Sequence, residues 1–282
     1  MTTVALVGAN GVLGTPLINA LSAAPGYKYP LIVVTRDASK HTSTDKVKYV
    51  QGSADEKGSL EAIFKGVDVV LNISSVKANW TGILDAVKAA GVKVYVPSEF
   101  GVDYTQFPDF HFLDLKKNHQ EAARAVKGLK VVAVENGVFG EFATKYPSFL
   151  RLDPATNKAN PINPDAVWSI TFLDDIAAAL AIVLAKPVDE IPDVLALSGQ
   201  KLSFRDFYEI YGKKKGVKVE VVPAETVEEA RATVKKNEET HNYDDTAFLL
   251  YLHLLQSEGK GTTSGSGNKY LSKFKTVEEA DF

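Results

Sequence analysis

Glycines at positions 8, 11 and 14 punctuate the stretch VGANGVLG, directly after the apolar run VALV (4–7) and directly before LINALSAA, a helical pattern. Between a strand and a helix, each such glycine has a task. One permits a tight turn, one lets backbone approach a pyrophosphate, and one lets helix and strand pack closely. The amides of Gly11, Val12 and Leu13 then stand at the helix start with their N–H groups aimed at an anion. Asn10 is placed to hydrogen-bond within the turn. The spacing is G-x-x-G-x-x-G, a variant of the dinucleotide fingerprint, and an empty tight turn is the competing reading. Its position at the first strand–helix junction of a repeating strand–helix chain favours the dinucleotide.

The end of the second strand selects which dinucleotide. An acidic residue there accepts hydrogen bonds from ribose hydroxyls, whereas an arginine meets a 2′-phosphate. The chain reads LIVVTRDASKH, with Arg36 immediately after the strand and Lys40 nearby. A guanidinium grips phosphate through two parallel charge-assisted bonds, which favours NADP(H). Asp37 argues the other way, since it would serve a diol or repel the phosphate.

Other strand ends carry further polar groups. Asn72, Ser74 and Ser75 follow the fourth strand, and Ser98 and Glu99 follow the fifth, where a nicotinamide would lie. Contact with cofactor is expected from Asn72, Ser74 and Ser98. NGVFGEFATKY (136–146), after the sixth strand, reads either as the wall of an aromatic substrate pocket or as ordinary packing. The chain has no cysteine, which excludes disulfides and thiolate chemistry, and its five histidines form no metal-binding pair.

The elements that must position these residues follow from periodicity. Strand-like runs at 4–7, 31–35, 46–50, 68–73, 92–97 and 129–134 alternate with amphipathic helices, one of them closed by Gly91. Continuous Val/Ile/Leu runs of this kind form parallel sheets covered on both faces. The fold class is therefore α/β, a Rossmann-type doubly wound parallel sheet, followed by a smaller and less regular C-terminal α/β region. Residues 1–150 are assigned to the dinucleotide-binding domain and 151–282 mostly to the second region, with 172–199 returning to the first. Ser203 is expected to cap a helix over 202–216, and GKGTTSGSGNKY (259–270) reads as a flexible surface loop.

PSEFG at the fifth strand, the early G-x-N-G-x-x-G, and TR after the second strand resemble the NmrA-like group of atypical short-chain dehydrogenase/reductases, which includes the isoflavone reductase-like enzymes. FLDDIAAAL and LALSGQKLSFRDF also resemble its later segments, and the likeness thins after about residue 225. The resemblance implies NADP(H) binding, a smaller substrate-binding domain built mostly from the C-terminal half, and a functional lysine on the helix after PSEFG. Counted back from Gly128, that position is Lys117. Glu121 departs from the family's arginine. Leu113 stands where the usual short-chain dehydrogenases place the proton-donating tyrosine of Y-x-x-x-K, so that mechanism is expected to be absent. A literal Y-x-x-x-K at Tyr211–Lys215 ends a helix in the second half and reads as chance. Leu115, Ala122 and Val126 fall on one helical stripe with Ala123 at its edge, which directs Lys117 off the stripe and leaves Lys116 on its flank. An active-site lysine and a solvated one would both show this. His111 and His119 are lesser candidates for proton transfer.

The expected function is an NADPH-dependent reductase delivering hydride to a small conjugated, aromatic carbonyl or quinone-like substrate, the substrate class being implied by the resemblance. The other reading is an NmrA-like, NADP-binding regulator acting through protein partners. With 32 basic against 35 acidic residues, the chain lacks the basic excess of a nucleic-acid binder. The longest apolar helical run (176–185) is too short to span a bilayer, so a soluble, cytoplasmic protein without a membrane partner is expected.

Overall fold

The computed structural model describes residues 1–56, 58–107 and 110–282. Strands β1 (Val4–Val7), β2 (Leu31–Thr35), β3 (Val47–Gln51), β4 (Val69–Asn72), β5 (Val94–Val96) and β6 (Lys130–Val131) form a parallel sheet in the order β3-β2-β1-β4-β5-β6. Helices α1 (Gly14–Ala23), α2 (Ser59–Phe64), α3 (Trp80–Ala90) and α4 (Asp114–Arg124) lie between them in sequence. Side chains alternate across each strand. Val4, Leu6, Leu71 and Val96 enter one core with Leu17 and Leu21 of α1, while Ala5, Val70 and Tyr95 enter the opposite core with Leu60, Ile83 and Ala123. Both faces are buried, as continuous apolar strands require. The order reverses between β1 and β4, and ligand crevices of such sheets open there at the carboxyl ends.

Where one strand was expected over 129–134, the chain changes partners. The Val132 N–H still donates to the Tyr95 carbonyl (2.9 Å), but the Ala133 N–H donates to that of Asp193 (3.0 Å). β7 (Ala133–Glu135) is therefore a separate strand. It is followed by β8 (Val138–Phe139), α5 (Gly140–Lys145), β9 (Leu152–Asp153), β10 (Lys158–Ala159), β11 (Val167–Thr171) and α6 (Leu173–Val183). β12 (Val194–Ala196) pairs in parallel with β7, and α6 packs its Ile176, Ala177 and Leu180 on the same sheet face as α1.

The remaining elements are β13 (Gln200–Ser203), α7 (Phe204–Lys215), β14 (Glu220–Val221), α8 (Val227–Glu239) and α9 (Asp245–Ser257). β13, β11 and β8 form a small sheet over Trp168, Phe204 and Phe207. Ser203 caps α7 through a reciprocal box with Asp206, as its sequence suggested. α8 and α9 bury Ala230, Val234, Tyr251 and Leu254 against Phe107, Phe110 and Leu113. The segment after α9 is not a free loop. The Thr263 hydroxyl donates to the Leu197 carbonyl (2.5 Å), and Asn268 bonds both the N–H and the carbonyl of Ser198 (2.9 and 2.7 Å). Glycine and serine content signalled flexibility there, but small side chains instead let this backbone lie close against β11 and β12. Among the described residues no helix is long and apolar enough to cross a membrane.

Candidate active site

The three glycines of the first turn differ in what surrounds them. Gly8 holds φ at +92°, and a Cβ there would stand 2.4 Å from the Ser74 Cα. A Cβ on Gly14 would stand 1.7 Å from the Ala9 carbonyl oxygen. A Cβ on Gly11 would meet nothing nearer than the Gly8 oxygen at 3.5 Å, so packing within the protein does not require glycine there. The bare backbone at Gly11 leaves a cradle, which suits a pyrophosphate lying on the loop. The Gly11 amide is not aimed outward as expected, because it closes the turn on the Gly8 carbonyl (3.1 Å). The amides of Val12 and Leu13 have no acceptor among the described residues, and the first turn of α1 carries no acidic side chain. That end of the helix is a ready anion site. Asn10 is exposed and, among the described residues, does not make the bond expected within the turn.

After β2, Arg36 is exposed and has no ion-pair partner among the described residues. Asp37 does not face outward as a diol acceptor. Its carboxylate accepts the Ser39 N–H (3.1 Å) and hydroxyl (2.6 Å) and pairs with Lys40 at 3.2 Å. The Ser39 hydroxyl and then Lys40 hold that carboxyl below its usual range. Lys40, also expected to meet phosphate, thus has its amine engaged by Asp37. Arg36 is left as the free cation at this strand end.

Asn72, Ser74 and Ser98 are brought together but engage one another. Asn72 is fully buried; its Nδ2 donates to the Tyr95 hydroxyl (3.1 Å), and its Oδ1 accepts the N–H (3.1 Å) and hydroxyl (2.5 Å) of Ser74. The Trp80 indole donates to Ser74 Oγ (3.1 Å), and Ser98 Oγ donates to the Ser74 carbonyl (2.9 Å). The Asn72 side chain therefore stands behind the crevice as a brace. It sets the loop against which Gly8 packs. The network ends on His119, whose Nε2 lies 2.8 Å from the Tyr95 hydroxyl. Burial lowers the His119 pKa, and the ring turns toward Trp80 and Tyr95 rather than toward substrate.

Beyond this brace a cavity of about 680 Å³ opens at the strand ends, within the range of small-molecule sites, roughly 300–1,000 Å³. Val76 bounds it after β4, Phe100 and Gly101 after β5, and Val138, Phe139 and Phe142 after β7. Residues 136–146 do form an aromatic wall. Phe248, Leu252 and Leu255 of α9 close the far side, a contribution the sequence did not signal. Phe100 itself holds φ at +41°, an uncommon conformation for a bulky residue, and such strain concentrates at functional sites.

The two lysines of α4 have different surroundings. Leu115 is 47% exposed and Ala122 is exposed, whereas His119 and Ala123 are buried. The expected stripe is therefore rotated, because a histidine held by the Tyr95 hydroxyl occupies the inward face. That rotation carries Lys116 into the cavity wall. Its Nζ donates to the Glu99 carbonyl and, at 3.1 Å, to the Tyr104 hydroxyl. Lys117 points elsewhere: its Nζ pairs with Asp114 (2.7 Å) and donates to the carbonyls of Phe107 (3.2 Å) and Phe110 (3.3 Å). Lys117 anchors the backbone ahead of α4 and does not line the cavity. His111 sits exposed at the rim, 2.8 Å from Asp114. Glu99 is 2% exposed, and its carboxylate oxygens have no partner among the described residues. Burial pushes its carboxyl from 4.5 up to about 7, with Lys116 and Arg124 pulling the other way.

Comparison with known proteins matches residues 1–245 to the sequence model of the NmrA-like family. An NmrA-like family domain-containing oxidoreductase from Gibberella moniliformis is 25% identical over 236 residues, 75% of this chain and 76% of that protein. A probable pinoresinol-lariciresinol reductase from Arabidopsis thaliana is 25% identical over 272 residues, 92% of this chain and 87% of that one. Among solved structures, an NADPH-dependent quinone oxidoreductase from Escherichia coli superposes with a TM-score of 0.77 at 19% identity, covering 98% of each chain.

Proposed function

The chain belongs to the NmrA-like family, and from that premise we propose that it is an NADPH-dependent reductase acting on a small conjugated, aromatic carbonyl or quinone-like compound. The observation that carries this reading is the nearness of the glycine turn to the cavity. The glycine turn abuts the loop after β4 through Gly8 and Ser74, and that loop runs on to Val76 in the wall of the aromatic cavity.

The residues present fit the dinucleotide. The bare backbone at Gly11 and the free amides of Val12 and Leu13 would hold the pyrophosphate, and Arg36 would hold the 2′-phosphate. When bound, the reduced cofactor supplies a hydride. The chain's part is to position an electrophilic carbon for it and to stabilise charge as it arrives. Phe139 and Phe142 suit a flat conjugated substrate. Lys116 presents a cation to the developing oxyanion, taking the role that the resemblance implied for Lys117. The family's regulatory members would need no such aromatic chamber with a lysine in its wall.

Oxidation of NADPH across quinones, enones and aromatic aldehydes tests this. Wild type is expected to turn over part of the panel, Lys116→Met to lose about 100-fold or more in kcat, and Lys117→Met to stay within a few-fold. NADPH binding without turnover of any compound, or a collapse confined to Lys117→Met, would contradict the proposal.

A further inference from the structure

Leu113 stands four residues before Lys117, where the usual short-chain dehydrogenases place tyrosine, yet a phenol reaches Lys116 from another part of the chain. Tyr104 follows β5 in a single turn of 3₁₀ helix and lines the same cavity as Lys116. Its hydroxyl lies 3.1 Å from Lys116 Nζ and donates to the Glu99 carbonyl at 3.1 Å. Lys116 Nζ shares that same carbonyl and lies 4.9 Å from the centre of the Tyr104 ring. An ammonium that serves one carbonyl and one phenol still has an N–H to offer. A substrate oxygen entering the cavity would therefore meet that N–H beside a phenol whose proton, given to the Glu99 carbonyl in this structure, would swing to it.

The phenol's seat is built rather than incidental. A Cβ on Gly101 would stand 2.0 Å from the Tyr104 hydroxyl and 2.9 Å from Cζ, so the ring occupies space that only glycine leaves. Gly101 is itself fixed, because its carbonyl accepts the N–H groups of Asn136 (2.9 Å) and Gly137 (2.8 Å) at the end of β7. The two other candidate donors are placed less well. His111 is exposed at the rim and paired with Asp114, and His119 is turned into the brace behind the crevice.

We propose that Tyr104 is the acid of the reduction, an inference that rests on the reductase reading above. As hydride forms a new C–H bond, the substrate π bond opens and its electron pair moves to oxygen, either directly or through the conjugated system. That oxygen takes the Tyr104 proton, breaking the phenolic O–H bond. The substrate gains two electrons and the reduced nicotinamide loses them. Lys116 stabilises the phenolate and returns a proton to it, and water reprotonates the amine. Tyr104 and Lys116 thus divide proton delivery and charge stabilisation between a turn and a helix, where one helical Y-x-x-x-K would carry both.

Two measurements on Tyr104→Phe, which keeps the ring on Gly101, test the assignment. The first needs neither cofactor nor turnover: absorbance titration of the protein alone with 4-nitrophenol, whose anion mimics the oxyanion. Binding of the phenolate form is expected to weaken about tenfold in Tyr104→Phe and further in Lys116→Met, through loss of charge-assisted bonds. The second is steady-state kinetics, in which Tyr104→Phe is expected to lower kcat about 100-fold or more with little change in KM or NADPH affinity, while His111→Asn retains activity. Equal nitrophenolate binding by all three proteins would overturn the assignment. So would turnover by Tyr104→Phe within about threefold of wild type. Tyr104-dependent nitrophenolate binding in a protein that reduces nothing would overturn the reductase reading and leave the pair standing as an oxyanion site.

Discussion

Gly14 and Gly11 are the same residue type three positions apart in one turn, yet substitution should affect different properties. Gly14→Ala forces a Cβ to 1.7 Å from a backbone oxygen, whereas Gly11→Ala makes only an ordinary 3.5 Å contact. Urea titration is expected to show Gly14→Ala destabilised by about 4 kcal/mol or more and Gly11→Ala within about 1 kcal/mol of wild type. NADPH affinity should nonetheless fall in Gly11→Ala; unchanged affinity would remove the cradle. Glu99 supplies a pH signature. Its carboxyl stays protonated in the fold to about 7, whereas the unfolded chain ionises it near 4.5. Its contribution to stability is therefore complete below the unfolded value and is lost as pH rises through about 7. Between about pH 5 and about pH 8, Glu99→Gln should gain about 2–3 kcal/mol relative to wild type. A parallel pair of stability curves would show that the buried acid does not titrate as assigned. At this scale the sequence singled out the glycines and Arg36 as candidate cofactor-binding residues. It could not separate turn-closing amides from free ones, nor show Asp37 folded back onto Ser39.

At the scale of elements, α4 shows where periodicity loses information. Apolar residues define a stripe only when polar residues stay outside it, and His119 does not, because the Tyr95 hydroxyl and the Trp80 ring give it a buried place. Lys116, His119 and Ala123 trace the inward face at helical spacing, and reading polar residues with partners as buried would have found it. Strands and caps were more legible: β1, β2 and β4 fall on their Val/Leu runs, and Ser203 and Gly91 sit at helix ends as their types require. The segment after α9 misled because composition measures local freedom, whereas Asn268 ties it to the distant turn between β12 and β13. Asn268→Ala removes both bonds to the Ser198 backbone. It is expected to cost about 2 kcal/mol and to speed hydrogen exchange at the Ser198 and Gly267 amides. Unchanged exchange would mean that this segment is held elsewhere.

For the whole molecule, continuous apolar strands alternating with helices made the parallel sheet and its ligand-binding edge readable from the chain, whereas the strand order was not. Nor was the cavity. Its walls come from loops after three strands, from α4 and from α9, the last more than a hundred residues beyond the others in sequence, and only the fold shows that they meet. The proposed function joins the glycine turn to the aromatic chamber through a dinucleotide carrying a 2′-phosphate. Fluorescence titration of wild type and Arg36→Ala with NADPH and with NADH tests this most directly. Wild type is expected to prefer NADPH by about tenfold or more, the equivalent of about 1.4 kcal/mol, and Arg36→Ala to lose that preference while still binding NADH. Equal affinity for both cofactors, a preference that survives without Arg36, or no binding of either would contradict it.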